Sequence, residues 1–290
     1  MAQHMRMVSR SPHLNVMCNA AFKAARGLVR DFGEVEHLQI SRKGPGDFVS
    51  IADKKSEAII YQELKKARPS YGFIMEEGGD VPGEDDYTWI IDPLDGTTNF
   101  LHALPHFAIS IALQKGTELI AGVVYDPIKD ELFYAEKGGG AFLNERRLRV
   151  SVRHQLPEAV LATGVPFILH GKTERDQFLS TMECLMPLVA GIRRFGVASL
   201  DLAYVAAGRF EGFWERPLSS WDMAAGIVLV REAGGYVCDL QGGEAIFATK
   251  SIMATNQALY QPLKDLLLPI YHIPLHKALT PQKREEDKSR

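Results

Sequence analysis

Residues 89–100, WIIDPLDGTTNF, carry the pattern that decides how the rest of the chain is read. Trp89, Ile90 and Ile91 form the apolar end of a buried strand. Asp92 and Asp95 follow, separated by Pro93, whose ring nitrogen cannot donate to a sheet ladder. The spacing predicts that the strand stops and the chain turns at the proline. Two carboxylates three apart across such a turn face one cation, and hard oxygen ligands of this kind suit magnesium or manganese. Gly96, Thr97 and Thr98 then offer unpaired backbone N–H groups where a helix begins, a natural seat for a phosphate.

On the N-terminal side, Ser11 and Pro12 read as the cap and first position of a helix. Its apolar stripe runs through Leu14, Met17, Ala21, Ala25, Leu28 and Phe32 to Gly33. Gly44, Pro45 and Gly46 predict a turn entering a short strand at 48–51, and Asp53 opens a helix over 54–67 that Pro69 ends. A strand at 73–75 finishes at Glu76 and Glu77, and a polar loop leads from there to Trp89. On the C-terminal side, runs at 107–114, 118–126 and 131–136, with a glycine hairpin at 138–140, predict a consecutive antiparallel sheet. After about residue 155 strands and helices alternate, with strands at 160–164, 192–195, 210–214 and 252–255. Helices are expected between them at 173–188, 200–207 and 221–233, and a last one at 259–268. The expected organisation is an α+β portion over 8–155 carrying most acids, an α/β portion over 156–272, and a charged tail over 273–290. Patterning alone supports a mixed α and β fold.

The 290 residues are 46% hydrophobic and 24% charged, enough to bury a sizeable core. A net charge of −3 gives no electrostatic case for nucleic acid or an anionic membrane, so an anionic substrate must be held locally. Cys18, Cys184 and Cys238 are odd in number and far apart, which suggests neither a disulfide framework nor structural zinc and fits a reducing cytoplasm. No apolar run approaches the ~20 residues of a membrane span, no secretory signal is expected, and residues 1–5, MAQHM, are left out of the reading.

Asp53, Glu76/Glu77 and Asp92/Asp95 stand at strand ends or turn corners, and Asp222 opens a helix. Singly, Asp53 and Asp222 also suit plain helix N-caps, and Glu76 and Glu77 solvated loop charges. Together, acids repeatedly placed at the ends of apolar runs repel one another unless cations sit between them. An EF-hand loop is excluded, because Leu94 falls where a ligand is required and Gly96 is out of place. An aspartyl nucleophile is disfavoured by the three-residue spacing across a proline, which leaves water as the nucleophile. His102 and His106 flank Pro105 and read as loop histidines, Gly138 to Gly140 as a turn, and Trp89, Trp214 and Trp221 as packing residues.

The run DPLDGTTNF, with EE upstream at 76–77 and WDMAAG downstream from Trp221, resembles the inositol monophosphatase family of magnesium-dependent, lithium-sensitive phosphatases. The resemblance covers roughly residues 14–270 and is strongest to the bacterial members through RRFGVASLDLAYVAAGRFEGFWE at 193–215. It implies a layered αβαβα fold. It also implies that Glu76, Asp92 and the Leu94 carbonyl hold one magnesium and that Asp92, Asp95 and Asp222 hold a second, within a set of two or three ions for which manganese can substitute. Asp53 and Glu77 are expected close by. Thr97 is implied to position the attacking water, with Glu76 or Asp53 accepting its proton. Gly96, Thr97 and Thr98 are implied to cradle the phosphate, together with Leu94, Asp95 and Asp222. Gly196, Val197 and Ala198 would line the opposite wall, and Glu215 would accept hydrogen bonds from substrate hydroxyls. Val197 departs from the small residue often found there.

The activity so implied is hydrolysis of inositol monophosphate or a similar polyol phosphate. Phosphoadenosine phosphate, fructose bisphosphate or histidinol phosphate are the alternative substrates, and a regulatory association with the transcription machinery is the alternative of another kind. The resemblance also implies a homodimer, with the middle strands and residues 167–171 as the expected interface.

Overall fold

The computed structural model describes residues 10–34, 40–44, 47–166 and 171–271. Residues 1–9, Pro45 and Gly46, most of the expected interface segment at 167–171, and the tail therefore lie outside the described residues. Helix α1 (Pro12–Phe32) starts as its sequence dictates: the Ser11 hydroxyl accepts the Leu14 N–H at 3.2 Å and proline occupies the first turn. The strand expected at 48–51 is the second arm of a hairpin, β1 (Ile40–Gly44) with β2 (Asp47–Ser50), and Ile51 already belongs to helix α2 (Ile51–Ala67). Asp53 is thus inside the first turn of α2 and is not its N-cap.

The first large sheet is built from β3 (Gly72–Met75), β4 (Gly79–Val81), β5 (Tyr87–Asp95), β6 (Ala108–Lys115), β7 (Glu118–Asp126), β8 (Glu131–Glu136), β9 (Gly140–Leu143) and β10 (Arg146–Arg147). Its order is β10-β9-β8-β7-β6-β5-β3-β4. From β5 to β10 it is the antiparallel meander the sequence predicts. β4, hidden in the polar loop, pairs antiparallel with β3, and β3 runs parallel to β5. A short helix, α3 (Thr97–Leu101), joins β5 to β6.

The second sheet, ordered β12-β11-β13-β15-β14, comprises β11 (Val160–Thr163), β12 (Gly191–Arg193), β13 (Gly212–Glu215), β14 (Tyr236–Cys238) and β15 (Ile252–Thr255). Helices α4 (Lys172–Leu185), α5 (Ala198–Ala206), α6 (Ser220–Glu232), α7 (Ile246–Thr249) and α8 (Tyr260–Tyr271) accompany this sheet among the described residues. β14 and α7 had no periodic signal, being three and four residues long.

Three cores fix the layering. Met17 and Leu28 of α1, Ile60 and Leu64 of α2, and Trp89, Ile91 and Ile111 of the large sheet form the outer one. Ile90 and Val124 meet Leu202 and Val205 of α5, Met223 and Ile227 of α6, and Phe213 and Ile252 of the second sheet in the middle one. Leu161 and Trp214 pack with Leu185 of α4 and Leu263 and Leu267 of α8 in the third. The result is an αβαβα stack with α5 and α6 enclosed between two sheets, which matches the layered fold that the family resemblance implies. α6 lies directly on β7, because a Cβ at Gly122 would stand 2.6 Å from the Ala225 carbonyl oxygen. Among the described residues no helix is long and apolar enough to cross a membrane.

Candidate active site

β5 does not stop at Pro93. It continues to Asp95, and its register against β6 shifts between Asp92, opposite Ser110, and Asp95, opposite Ala108. Three steps on β5 therefore match two on β6, which is a bulge with one extra residue. In a regular strand, residues three apart face opposite sides. The extra residue reverses the parity: Ile91 and Leu94 both enter the core beneath α1 and α2, and Asp92 and Asp95 are both left for the α5/α6 side. The expected turn is corrected to a bulge, and the inference that the two acids share a face survives for this different reason.

Asp222 comes from the first turn of α6. It is not the N-cap, which is Ser219; its Oδ2 accepts the Ser219 N–H at 2.7 Å. Carboxylate oxygens of Asp92, Asp95 and Asp222 lie within 4.8 Å of one another. Burial, then the fields of Glu76, Asp95 and Asp222, push the Asp92 carboxyl well above the usual range. Burial and Asp95 do the same to Asp222. Asp95 is raised to about 6 by burial, held from rising further by N–H donors of Ser199, Ala198 and Gly96. The Ser199 N–H donates at 2.7 Å. Three acids that cannot all ionise in each other's company are matched to a divalent cation, which removes the repulsion and takes hard oxygen donors.

A cleft of about 400 Å³ opens beside this triad, lined by Glu76, Asp95, Gly196, Ala198, Glu215 and Asp222 among others. Six residues singled out from the sequence, drawn from the end of β3, β5, the segment entering α5 and its first residue, β13 and α6, thus meet on one cavity. Glu76 extends the β3 end, its N–H donating to the Ile91 carbonyl at 3.3 Å. The Thr97 hydroxyl donates to the Leu94 carbonyl at 3.0 Å, and the Leu94 N–H donates to Asp92 at 3.0 Å. The Glu215 carboxyl is pushed up to about 8 by burial and Asp95, with Arg194 opposing.

Other expectations are corrected. The Val197 side chain is fully buried in the middle core and does not line the cleft. It packs beneath Gly96, where a Cβ would stand 2.8 Å from Val197 Cγ2 and φ is +94°, so that only glycine fits. Thr98 is solvent-exposed. Glu77 borders a separate depression with Lys54 and Glu57, its N–H donating to Glu57 at 2.9 Å. Asp53 is buried in α2 and does not line the cleft. Trp221 lines the cleft in addition to packing, while Trp89 and Trp214 are core residues. His102 is exposed; the half-buried His106 ring sits against Phe195 with Lys129 Nζ 3.1 Å from its Nδ1, and burial and that lysine lower it to about 4.

Several residues at the site carried no separate signal in the sequence. Arg194 and Arg216 bring positive charge to the cleft. Asn99, buried on α3, donates to the His106 and Phe195 carbonyls, each at 2.9 Å, tying the β5 end to the segment before Gly196. Asp201 is fully buried on α5 with neither carboxyl oxygen hydrogen-bonded, and burial followed by Glu215 and Asp95 drives its carboxyl well up. It lies within the run at 193–215 that carries the resemblance, but nothing in that run marked its burial.

Comparison with known proteins agrees with this geometry. The sequence profile described as the inositol monophosphatase family matches residues 9–271. An inositol-1-monophosphatase of Rhizobium meliloti is 55% identical over 261 residues, covering 90% of this chain and 97% of the relative. Nus factor SuhB of Escherichia coli K12 is 47% identical over 247 residues, 84% of this chain and 91% of the relative. The crystal structure of extragenic suppressor protein suhB from Bartonella henselae superposes with a TM-score of 0.86 at 55% identity, covering 89% of this chain and 98% of that one. With its profile matched almost end to end, its layers in the same arrangement and Glu76, Asp92, Asp95 and Asp222 gathered at or beside one cleft, this chain belongs to the inositol monophosphatase family.

Proposed function

We propose that the protein is a magnesium-dependent phosphomonoesterase that hydrolyses inositol monophosphate or a similar polyol phosphate. The observation that carries this reading is the convergence of three carboxylates within 4.8 Å of one another, Asp92 and Asp95 buried and Asp222 partly so, beside a cleft with Glu215 in its wall. Asp92, Asp95, Asp222, Glu76 and the Leu94 carbonyl would hold the ions. The chemistry supplied by magnesium there is neutralisation of phosphoryl charge and a lowered pKa for water. Because the Thr97 hydroxyl proton is engaged by the Leu94 carbonyl, its lone pairs are left to accept a hydrogen bond from the attacking water. Glu76 lines the cleft and Asp53 does not, which favours Glu76 as the group that takes the proton. Glu215 accepts hydrogen bonds from substrate hydroxyls at the other end. In this reading the portion before residue 155 supplies most of the ion-binding acids and the portion after it supplies Asp222 and the substrate contacts. The protein works as a lithium-sensitive homodimer in the cytoplasm, in keeping with its few, scattered cysteines.

The test is phosphate release from inositol 1-phosphate by purified protein with magnesium. Activity is expected, with kcat/KM reduced about 10³-fold or more in Asp92→Asn, on the scale of losing a principal electrostatic stabiliser. Absence of release, or an unaffected variant, overturns the reading. A panel including fructose bisphosphate, histidinol phosphate and phosphoadenosine phosphate decides the substrate by kcat/KM. A second role, association with the transcription machinery, is favoured by the likeness to a protein named as a Nus factor. Pull-down with the Asp95→Asn variant beside the activity assay separates the two roles.

A further inference from the structure

Glu215 ends β13, and β13 lies parallel to β11, with Thr163 opposite Trp214. One step further, Gly164 stands beside Glu215. Strand alternation sets the direction of both positions. Ala162 and Phe213 are paired and both enter the middle core, so Gly164 and Glu215, two residues on, share that face. A side chain at 164 would therefore stand in line with that of Glu215. A Cβ built on Gly164 falls inside the Glu215 carboxyl group, against its Cδ and Oε1, with Oε2 next nearest. The carboxyl thus lies sideways across the neighbouring strand end, in the space the glycine leaves empty. Gly164 has no positive φ that demands glycine; its requirement comes from Glu215. Its backbone is itself held, since the Thr163 hydroxyl donates to the Gly164 carbonyl at 3.1 Å. Asp95 repels Glu215 and Arg194 attracts it, so a carboxyl released from this seat has an alternative place to go.

We infer that Gly164 is a specificity-determining position: the side chain it lacks seats the Glu215 carboxyl along the strand ends, leaving the cleft open to a hydroxylated ring with an acceptor beside it. This rests on the reading of Glu215 as the acceptor for substrate hydroxyls; Gly164 acts through Glu215 and is a positioning residue. The two residues then form one functional unit and their substitutions are not additive.

The test compares Gly164→Ala, Glu215→Ala and the double variant on inositol 1-phosphate and on p-nitrophenyl phosphate, which has no ring hydroxyls, with saturating magnesium. In Gly164→Ala the preference for inositol 1-phosphate, as the ratio of kcat/KM values, is expected to fall about tenfold or more, chiefly through KM, on the scale of one hydrogen bond to a charged group. The double variant is expected to match Glu215→Ala. Additive losses, an unchanged ratio, or an equal loss on both substrates overturns the inference. Should Gly164→Ala alone fail to fold, the double variant folds, because the overlapping carboxyl is gone; a double variant that also fails overturns the inference. Should the wild type cleave only p-nitrophenyl phosphate, the substrate reading has failed. Crystal structures of wild type and Gly164→Ala then decide the seat: a displaced carboxyl supports it and an undisplaced one overturns it.

Discussion

Asp95→Asn is the sharpest probe of the acid cluster, because it removes one charge and almost no volume. At an effective dielectric constant of about 20, two full charges at the 4.8 Å limit of the cluster repel by about 3.5 kcal/mol. The metal-free protein escapes part of this repulsion by keeping protons, and Asp95 titrates at about 6 in place of the ordinary 3.8. That difference corresponds to about 3 kcal/mol of lost stability once the group is ionised in both states. The folded protein binds this proton more tightly than the unfolded chain does. Wild-type stability contributed by Asp95 therefore falls as pH climbs from about 4 through about 6, and the penalty is complete above that. The asparagine still accepts from the Ser199 N–H, and the stronger bond that N–H makes to an ionised carboxylate is already contained in the net shift. The net expectation is a variant more stable by about 3 kcal/mol at pH 8 without metal, a rise in melting temperature of roughly 5 °C. The measurement is thermal unfolding with a chelator at pH 4 and pH 8, repeated at pH 8 with magnesium, where the order reverses because the wild type gains more from the ion. A variant no more stable than wild type at pH 8 without metal, or one equally favoured at pH 4, refutes the electrostatic argument.

Gly96→Ala forces a side chain into φ +94° and against Val197 Cγ2. It is expected to destabilise by about 2 to 4 kcal/mol and to shift Asp95, read by denaturant unfolding and by a parallel fall in activity. Asn99→Leu removes two buried hydrogen bonds, leaving the His106 and Phe195 carbonyls short of a donor at about 1 to 3 kcal/mol each. Its kcat/KM is expected to fall with stability; an unchanged melting temperature would show that the two walls are not tied through this side chain.

Where the sequence was legible, the reason is periodicity or chemistry compressed into a few neighbours. α1 announced itself by its cap and stripe, the β6–β8 meander by alternating runs with short turns, and the acids by standing at the ends of apolar stretches. The departures are equally specific. Pro93 was expected to end β5, yet it sits in a bulge, where a missing donor costs no regular ladder bond. Val197 was expected at the wall, yet one step of backbone direction at the start of α5 sends it beneath Gly96 and leaves Ala198 at the cleft.

The chain by itself determined a mixed α and β fold, the family resemblance with the layers it implies, and which acids are the candidates, because element periodicity and a dense motif are local properties of the sequence. Tertiary structure alone decided the rest. It placed Asp222 against Asp92 across 129 intervening positions by packing α6 on the large sheet. It moved Asp92 and Asp95 onto one face through the parity of a bulge, and laid Glu215 over a glycine on the adjoining strand. Those relations depend on register and on which surfaces close against each other, and pairwise proximity between distant segments is written only in the folded chain.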